Sequence, residues 1–409
     1  MIIGLTGIFT AIAVIIFLTR RGLSLAIAML SGTLIIAVFG LYRPAFAFDL
    51  FLEAITDPTT VFLTLVMITI TSFGYLLRET SSLDMMIKNL SKVVRDLRFL
   101  SMLIPALIGL LMVPGGAIFS APMAENLGRR LKMDVNATAA ANVVFRHLLF
   151  LIFPFYSGML MMSELSGVKI DYFIRFNLGI LFISIVFTYF YFFRRTAVPV
   201  PGAEKEKFTV KMFLDLGVSL LPFILVLILG LGFKLYFPLA FLAGCLYVVV
   251  LGNPLAKTRG SIKERLLMAW KGISWPMTLS IIGVMVFKDF VQALGALDEL
   301  SAYLHGLGVP LIILVVSFPL LISLVTGNIH ASLGLSLPFF LPLLPPAGGL
   351  PYLGVMYVCA LVGYVASPIH LCLILTSQYL KASLPEVLKE VGIISGFMVI
   401  LSLLVFIFA

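Results

Sequence analysis

The stretch 99–128, FLSMLIPALIGLLMVPGGAIFSAPMAENLG, is largely apolar, and Val113-Pro114-Gly115-Gly116 interrupts it in the middle. Proline and paired glycines do not continue a helix. The stretch therefore reads as two arms of about 14 residues, each roughly 21 Å long. A hydrocarbon core is about 30 Å thick, so neither arm crosses it. With the following basic residues, 99–132 is read as a re-entrant helical hairpin. A second broken stretch, 309–346 (VPLIILVVSFPLLISLVTGNIHASLGLSLPFFLPLLPP), is interrupted at Thr326-Gly327-Asn328. It is longer, and two tilted spans are the alternative to a second hairpin.

Composition agrees. Of 409 residues, 61% are hydrophobic and only 11% charged, with a mean hydropathy of +1.15. Soluble domains carry about 25% charged residues. A cytosolic enzyme, a secreted domain and a disordered chain are excluded, which leaves an all-α polytopic membrane protein. Candidate spans are 2–19, 23–41, 58–77, 136–163, 172–193, 213–232, 236–252, 274–292, 352–380 and 391–408. The three cysteines, Cys245, Cys359 and Cys372, lie in apolar runs without metal spacing and read as packing residues.

The net charge of +9 is read as topology rather than as affinity for nucleic acid. Arg20 and Arg21 put the first loop inside. Arg78, Lys88, Lys92, Arg95 and Arg98 follow, then Arg129, Arg130 and Lys132, then Arg194, Arg195, Lys205, Lys207 and Lys211. Both termini then lie outside the cytoplasmic membrane of a prokaryote. The first hairpin enters from the cytoplasm and the second from outside. Lys288 and Asp289 are expected to pair at the outer boundary.

The order of elements repeats. Each half has five transmembrane helices plus a re-entrant hairpin, and each contains a helix broken by proline. Pro154 and Pro368 mark those breaks, 214 residues apart. The first repeat is 1–198, with hairpin 99–132 and broken helix 136–163. A cytoplasmic linker occupies 199–211. The second repeat is 212–409, with hairpin 309–346 and broken helix 352–380. An odd number of spans per half inverts the second copy, which is the plan of inverted-repeat transporters.

Over its whole length the chain resembles the ion transporter superfamily in this architecture. It is most similar to a ten-helix prokaryotic family, domain-of-unknown-function family 401, through Val113 to Pro122. More distantly it is similar to the divalent anion:sodium symporters. The resemblance implies an elevator-type secondary transporter that forms a homodimer, with hairpins and broken helices carrying the substrate. The sodium symporters place Ser-Asn-Thr at both hairpin tips. Here the tips read Pro114-Gly115-Gly116 and Thr326-Gly327-Asn328.

Polar residues near the breaks are the candidate site. Arg146 lies deep in its span beside His147, and an ionisable residue at membrane depth is a functional candidate by default. It reads as an anion-pairing charge or as half of an ion pair with Glu125. His330 follows the second tip and His370 follows Pro368, so both are candidates for proton coupling or substrate binding. Gly115, Gly116, Ser120, Tyr156, Ser157, Thr326, Gly327, Asn328, Ser332 and Ser367 complete the set for the substrate. Oxygen atoms of Thr326 and Asn328 are candidate ligands for a coupling ion, with backbone capping as the other reading. No metal site and no cofactor is expected beyond Na⁺ as a coupling ion. The expected partners are a small anion and the lipid bilayer. The expected activity is secondary active transport of a small organic anion, a carboxylate by preference, coupled to H⁺ or Na⁺. The alternatives are an intramembrane Ser/His hydrolase using Ser157, or a passive channel; the chain is not expected to be an enzyme.

Overall fold

The computed structural model describes residues 2–40, 43–110, 116–194, 196, 209–252, 260–294 and 310–408. These residues are all-helical, without strands, and form nineteen α-helices. The chain is a polytopic membrane protein. Five helices are long and apolar enough to cross a bilayer: Pro58–Glu79, Ile170–Phe193, Val210–Gly232, Trp275–Ala293 and Leu384–Phe408. The last five residues of the third, Ile228–Gly232, form a π-turn.

In the first half, α1 (Ile2–Arg20), α2 (Leu25–Phe39), α3 (Pro44–Thr56), α4 (Pro58–Glu79) and α5 (Ser82–Val93) lead into the hairpin arms α6 (Leu97–Leu110) and α7 (Ala117–Arg130). Then come α8 (Val135–Leu148), α9 (Ser157–Ser166) and α10 (Ile170–Phe193). The second half begins with α11 (Val210–Leu227), α12 (Phe237–Val250), α13 (Ile262–Lys271) and α14 (Trp275–Ala293). It continues with α15 (Leu311–Thr326), α16 (Ile329–Phe340), α17 (Leu350–Val365), α18 (Leu371–Leu380) and α19 (Leu384–Phe408).

Helix starts recur between the halves: 97 with 311, 157 with 371, and 170 with 384. So do packing partners. α1 lies on α2 as α11 lies on α12, and α6 on α8 as α15 on α17. Others exchange halves. α2 packs on α14 as α12 packs on α4, and α9 packs on α16 as α18 packs on α7. The return arm of each hairpin therefore rests on the second segment of the other half's broken helix.

Both broken helices are interrupted at the prolines the sequence marked. α8 ends in a 3₁₀ turn, Leu149–Leu151, ahead of Pro154, and α17 ends at Val365 ahead of Pro368. The second hairpin turns at Gly327, whose φ of +61° suits a residue without Cβ. Its arms of 16 and 12 residues are about 24 and 18 Å long. Neither matches the core thickness. Caps fix the helix starts. Asp57 accepts from the Thr59 and Thr60 amides, and Asp134 from those of Asn136 and Ala137. Asn328 accepts from the amides of His330 and Ala331.

Three segments read as loops are helices: α3, α5 and α13. Each carries charge and is too short to span, so a search for long apolar runs passes over them. α5 instead buries one face (Leu83, Met86, Ile87, Leu90). The first hairpin tip, Val113, Pro114 and Gly115, lies outside the described residues, as do 199–208 of the linker and His305. α11 starts at Val210, within the stretch read as linker.

Much of the helical structure around the breaks is buried inside the protein. Every residue of α16 is buried, and so is every residue of α8 from Thr138 to Leu148. The outer helices present large apolar side chains instead, such as Phe182 and Phe190 on α10, which suits contact with acyl chains.

Candidate functional site

A broken helix leaves amides and carbonyls without intrahelical partners. In a membrane protein these must be met by protein or by a water-filled cavity. Here two such carbonyls, of Phe150 and Leu324, are met by side chains, and other hydroxyls bond carbonyls within the helices. At the first break, the Tyr357 hydroxyl from α17 donates to the Phe150 carbonyl at 2.6 Å. At the second hairpin tip, Ser367 donates to the Leu324 carbonyl at 2.7 Å. Ser332 donates to the Pro319 carbonyl at 2.7 Å, and Thr326 to the Ile322 carbonyl at 2.6 Å. Ser120 reaches the Ala117 carbonyl at 3.3 Å. The hydroxyl protons of Thr326, Ser332 and Ser367 are thus spent on backbone, and Asn328 is a helix cap.

Two groups of side chains do gather. The first joins the two breaks. Arg146 and His147 stand in the last turn of α8, and His370 caps α18. The His147 and His370 rings are 4.7 Å apart between centroids, and the Tyr364 ring is 4.2 Å from His370. His147 Nδ1 is 2.7 Å from the Val143 carbonyl, and His370 Nδ1 is 3.3 Å from that of Val365. Ligand atoms of Cys372 and of both imidazoles lie within 4.8 Å of one another.

Arg146 is 3% exposed, and its Nη1 has no hydrogen-bond partner. Glu125, the partner weighed for it in the sequence, makes no ion pair with it. Among the described residues the ion pairs are Arg78–Glu79 and the expected Lys288–Asp289, at 3.0 Å. The carbonyl end of α8 offsets part of the guanidinium charge, but a buried cation without a counter-ion is costly. Gly109 of the hairpin arm α6 passes so close that a Cβ there would stand 2.1 Å from the Arg146 carbonyl oxygen. The hairpin is thereby held directly against the arginine's backbone.

The second group joins a break to a tip. Ser157 begins α9 and His330 stands in the first turn of α16. Ser157 Oγ lies 2.8 Å from His330 Nε2, and both residues are buried. Gly327 at the same tip faces Ile369 of the second break, 2.9 Å from where a Cβ would sit. Tyr156 caps α9 and stacks on Phe150 at 4.1 Å. Gly116 precedes α7 and is buried, whereas Gly115 lies outside the described residues.

Sequence reading placed Ser157, His330 and His370 at the breaks and Arg146 deep in its span, and the structure brings Ser157 to His330 and the Arg146–His147 turn to His370. It missed His147, Tyr364 and Cys372 as members of the first group. Cys372 was read as packing, yet its Sγ lies within 4.8 Å of a ring nitrogen of each imidazole. The available signal was its position two residues after His370.

Between the arm α6, the first break and helices α4, α11 and α12 lies a separate cavity of about 200 Å³. Its lining, including Phe73, Leu107, Phe155 and Phe223, is apolar. It carries none of the polar candidates.

The profile of the family described as "Protein of unknown function (DUF401)" matches residues 2–408. No curated protein sequence matches the chain. Among solved structures it is similar to the YdaH transporter of Alcanivorax borkumensis, a structure described as having an unusual topology. The TM-score is 0.61 at 15% identity, over 96% of this chain and 98% of that one. At that identity the likeness is one of fold.

Proposed function

The chain belongs to the DUF401 family of proteins of unknown function, and from that premise we propose that it is a secondary active transporter for a small organic anion. The observation that carries this reading is Arg146: buried, with Nη1 unpartnered, where two broken helices meet. An anion supplies the counter-charge the fold withholds. The N-terminal ends of α9 and α18 at the same breaks favour negative charge as well. A carboxylate fits the planar fork of a guanidinium.

The recurring helix order and exchanged partners support two inverted repeats, 1–198 and 212–409, joined by the 199–211 linker. In that arrangement both hairpins are re-entrant and the breaks meet near the membrane midplane. The protein would sit in a prokaryotic cytoplasmic membrane with both termini outside. The hairpins and α8–α10 and α17–α19 would move against α1–α5 and α11–α14 as an elevator, in a homodimer. The Ser157–His330 contact suits proton coupling, since an imidazole can pass a proton to a hydroxyl-bound water or carboxylate. Thr326 Oγ1 donates its proton to the Ile322 carbonyl and so retains lone pairs for Na⁺, whereas Asn328 would have to release a capped amide to offer its Oδ1. The fold likeness to a transporter agrees with this class of function.

The Ser157–His330 distance also favours one other reading, an intramembrane Ser/His hydrolase, because a serine nucleophile needs its base within reach. Among the described residues, however, no carboxylate hydrogen-bonds His330 to orient it, and the repeats have no role in hydrolysis. The test is uptake into proteoliposomes across a panel of labelled carboxylates under imposed H⁺ or Na⁺ gradients. Gradient-driven, saturable uptake with counterflow is expected. Uptake that never saturates would indicate a channel.

A further inference from the structure

We propose that His147, His370 and Cys372 form a binding site for one d-block divalent cation of the zinc class, with a fourth coordination position left open. Each of the three offers one ligand atom, all lie within 4.8 Å of one another, and all three residues are buried. A tetrahedral zinc centre uses Zn–N bonds of about 2.0 Å and Zn–S bonds of about 2.3 Å. In such a centre the ligand atoms stand about 3.3–3.5 Å from one another, so closure onto a cation draws the three side chains together by up to about 1.5 Å.

The hydrogen bonds orient the ligands for this. A carbonyl oxygen can only accept, so the contacts of Val143 and Val365 fix the proton of each imidazole on Nδ1. Both Nε2 atoms then carry free lone pairs. This is how metal-binding histidines are held, with the other ring nitrogen donating to a backbone carbonyl. His370 Nε2 is buried without a hydrogen-bond partner. A cation accepts all three lone pairs at once and releases the thiol proton to solvent.

Arg146 directly precedes the ligand His147 in the last turn of α8. A divalent cation, one thiolate and one guanidinium leave an excess of positive charge in a dry site. That excess raises the demand for an anion, which the open fourth position can take. Only this last point rests on the transport reading. The three-residue site stands without it.

The test is titration of the purified, chelator-treated protein with Co²⁺. One Co²⁺ per chain is expected, with a thiolate-to-cobalt charge-transfer absorption. Cys372→Ser should remove that absorption, and His147→Ala or His370→Ala should weaken binding at least tenfold. A Cys245→Ser, Cys359→Ser double variant should leave the band in place. X-ray absorption at the cobalt edge of the unmutated protein should show one sulfur and two imidazoles, which needs no variant to fold. The site is overturned if the unmutated protein binds no Co²⁺, or if no sulfur ligand appears. A protein that binds Co²⁺ through Cys372 but moves no carboxylate keeps the metal site and loses the transport reading.

Discussion

Ser157 Oγ and His330 Nε2 lie 2.8 Å apart and tie the broken helix of one half to the hairpin tip of the other. The two residues are separated by 173 positions in the chain. Replacing either leaves the other buried without its partner, which costs about 1–3 kcal/mol. Ser157→Ala and His330→Ala should each lower the melting temperature in detergent, and the double variant should fall by less than the sum. An additive loss would show that the contact is not formed.

The same pair should not be nucleophilic. A fluorophosphonate probe is expected to leave Ser157 unlabelled, as read by mass spectrometry of the intact protein. Labelling that disappears in Ser157→Ala would favour the hydrolase.

Gly109 and Gly363 set how closely the first arm of each hairpin approaches its broken helix. A Cβ at Gly109 would meet the Arg146 carbonyl at 2.1 Å, and one at Gly363 the Leu320 carbonyl at 2.4 Å. Backbone cannot yield as a side-chain tip does, and overpacking costs about 1–3 kcal/mol or more. Both Gly→Ala variants should be strongly destabilised. Gly179→Ala, with nothing within 4 Å of the new methyl, should be neutral or slightly stabilising, because alanine favours helix by about 1 kcal/mol. Thermal unfolding of the three variants side by side checks this.

Tyr357→Phe removes one oxygen and orphans the Phe150 carbonyl at the first break. A loss of about 1–3 kcal/mol is expected. Anion affinity should change little, because Tyr357 acts on the backbone. A large affinity loss with unchanged stability would place the hydroxyl in the binding site instead.

The breaks were legible in the sequence because their cause is local. Pro154, Pro368 and Gly327 act on the local backbone: the helices end within three residues before each proline and directly before Gly327. Lys288–Asp289 was legible because the two are neighbours. The histidine–cysteine group was not, because His147 meets His370 and Cys372 only when the two halves dock. No spacing along the chain encodes that meeting. Helices α3, α5 and α13 were hidden for another reason: their charges read as loop, although α5 buries one face and α13 is capped by the Ser261–Glu264 box. The alternative reading of Arg146, half of an ion pair with Glu125, rested on proximity in sequence. In the structure Glu125 is only half-buried, and Arg146 sits at the core without it.

The central claim is that Arg146 holds the anion. Gradient-driven uptake of the carboxylate that the wild-type protein carries best should be compared with that of Arg146→Ala and Arg146→Lys in proteoliposomes of equal protein content. Arg146→Ala should abolish uptake and the thermal stabilisation by that carboxylate. Arg146→Lys should retain a weak response, since a lysine keeps the charge but not the fork. An Arg146→Ala protein that folds, binds the anion and transports it at the wild-type rate would contradict the claim.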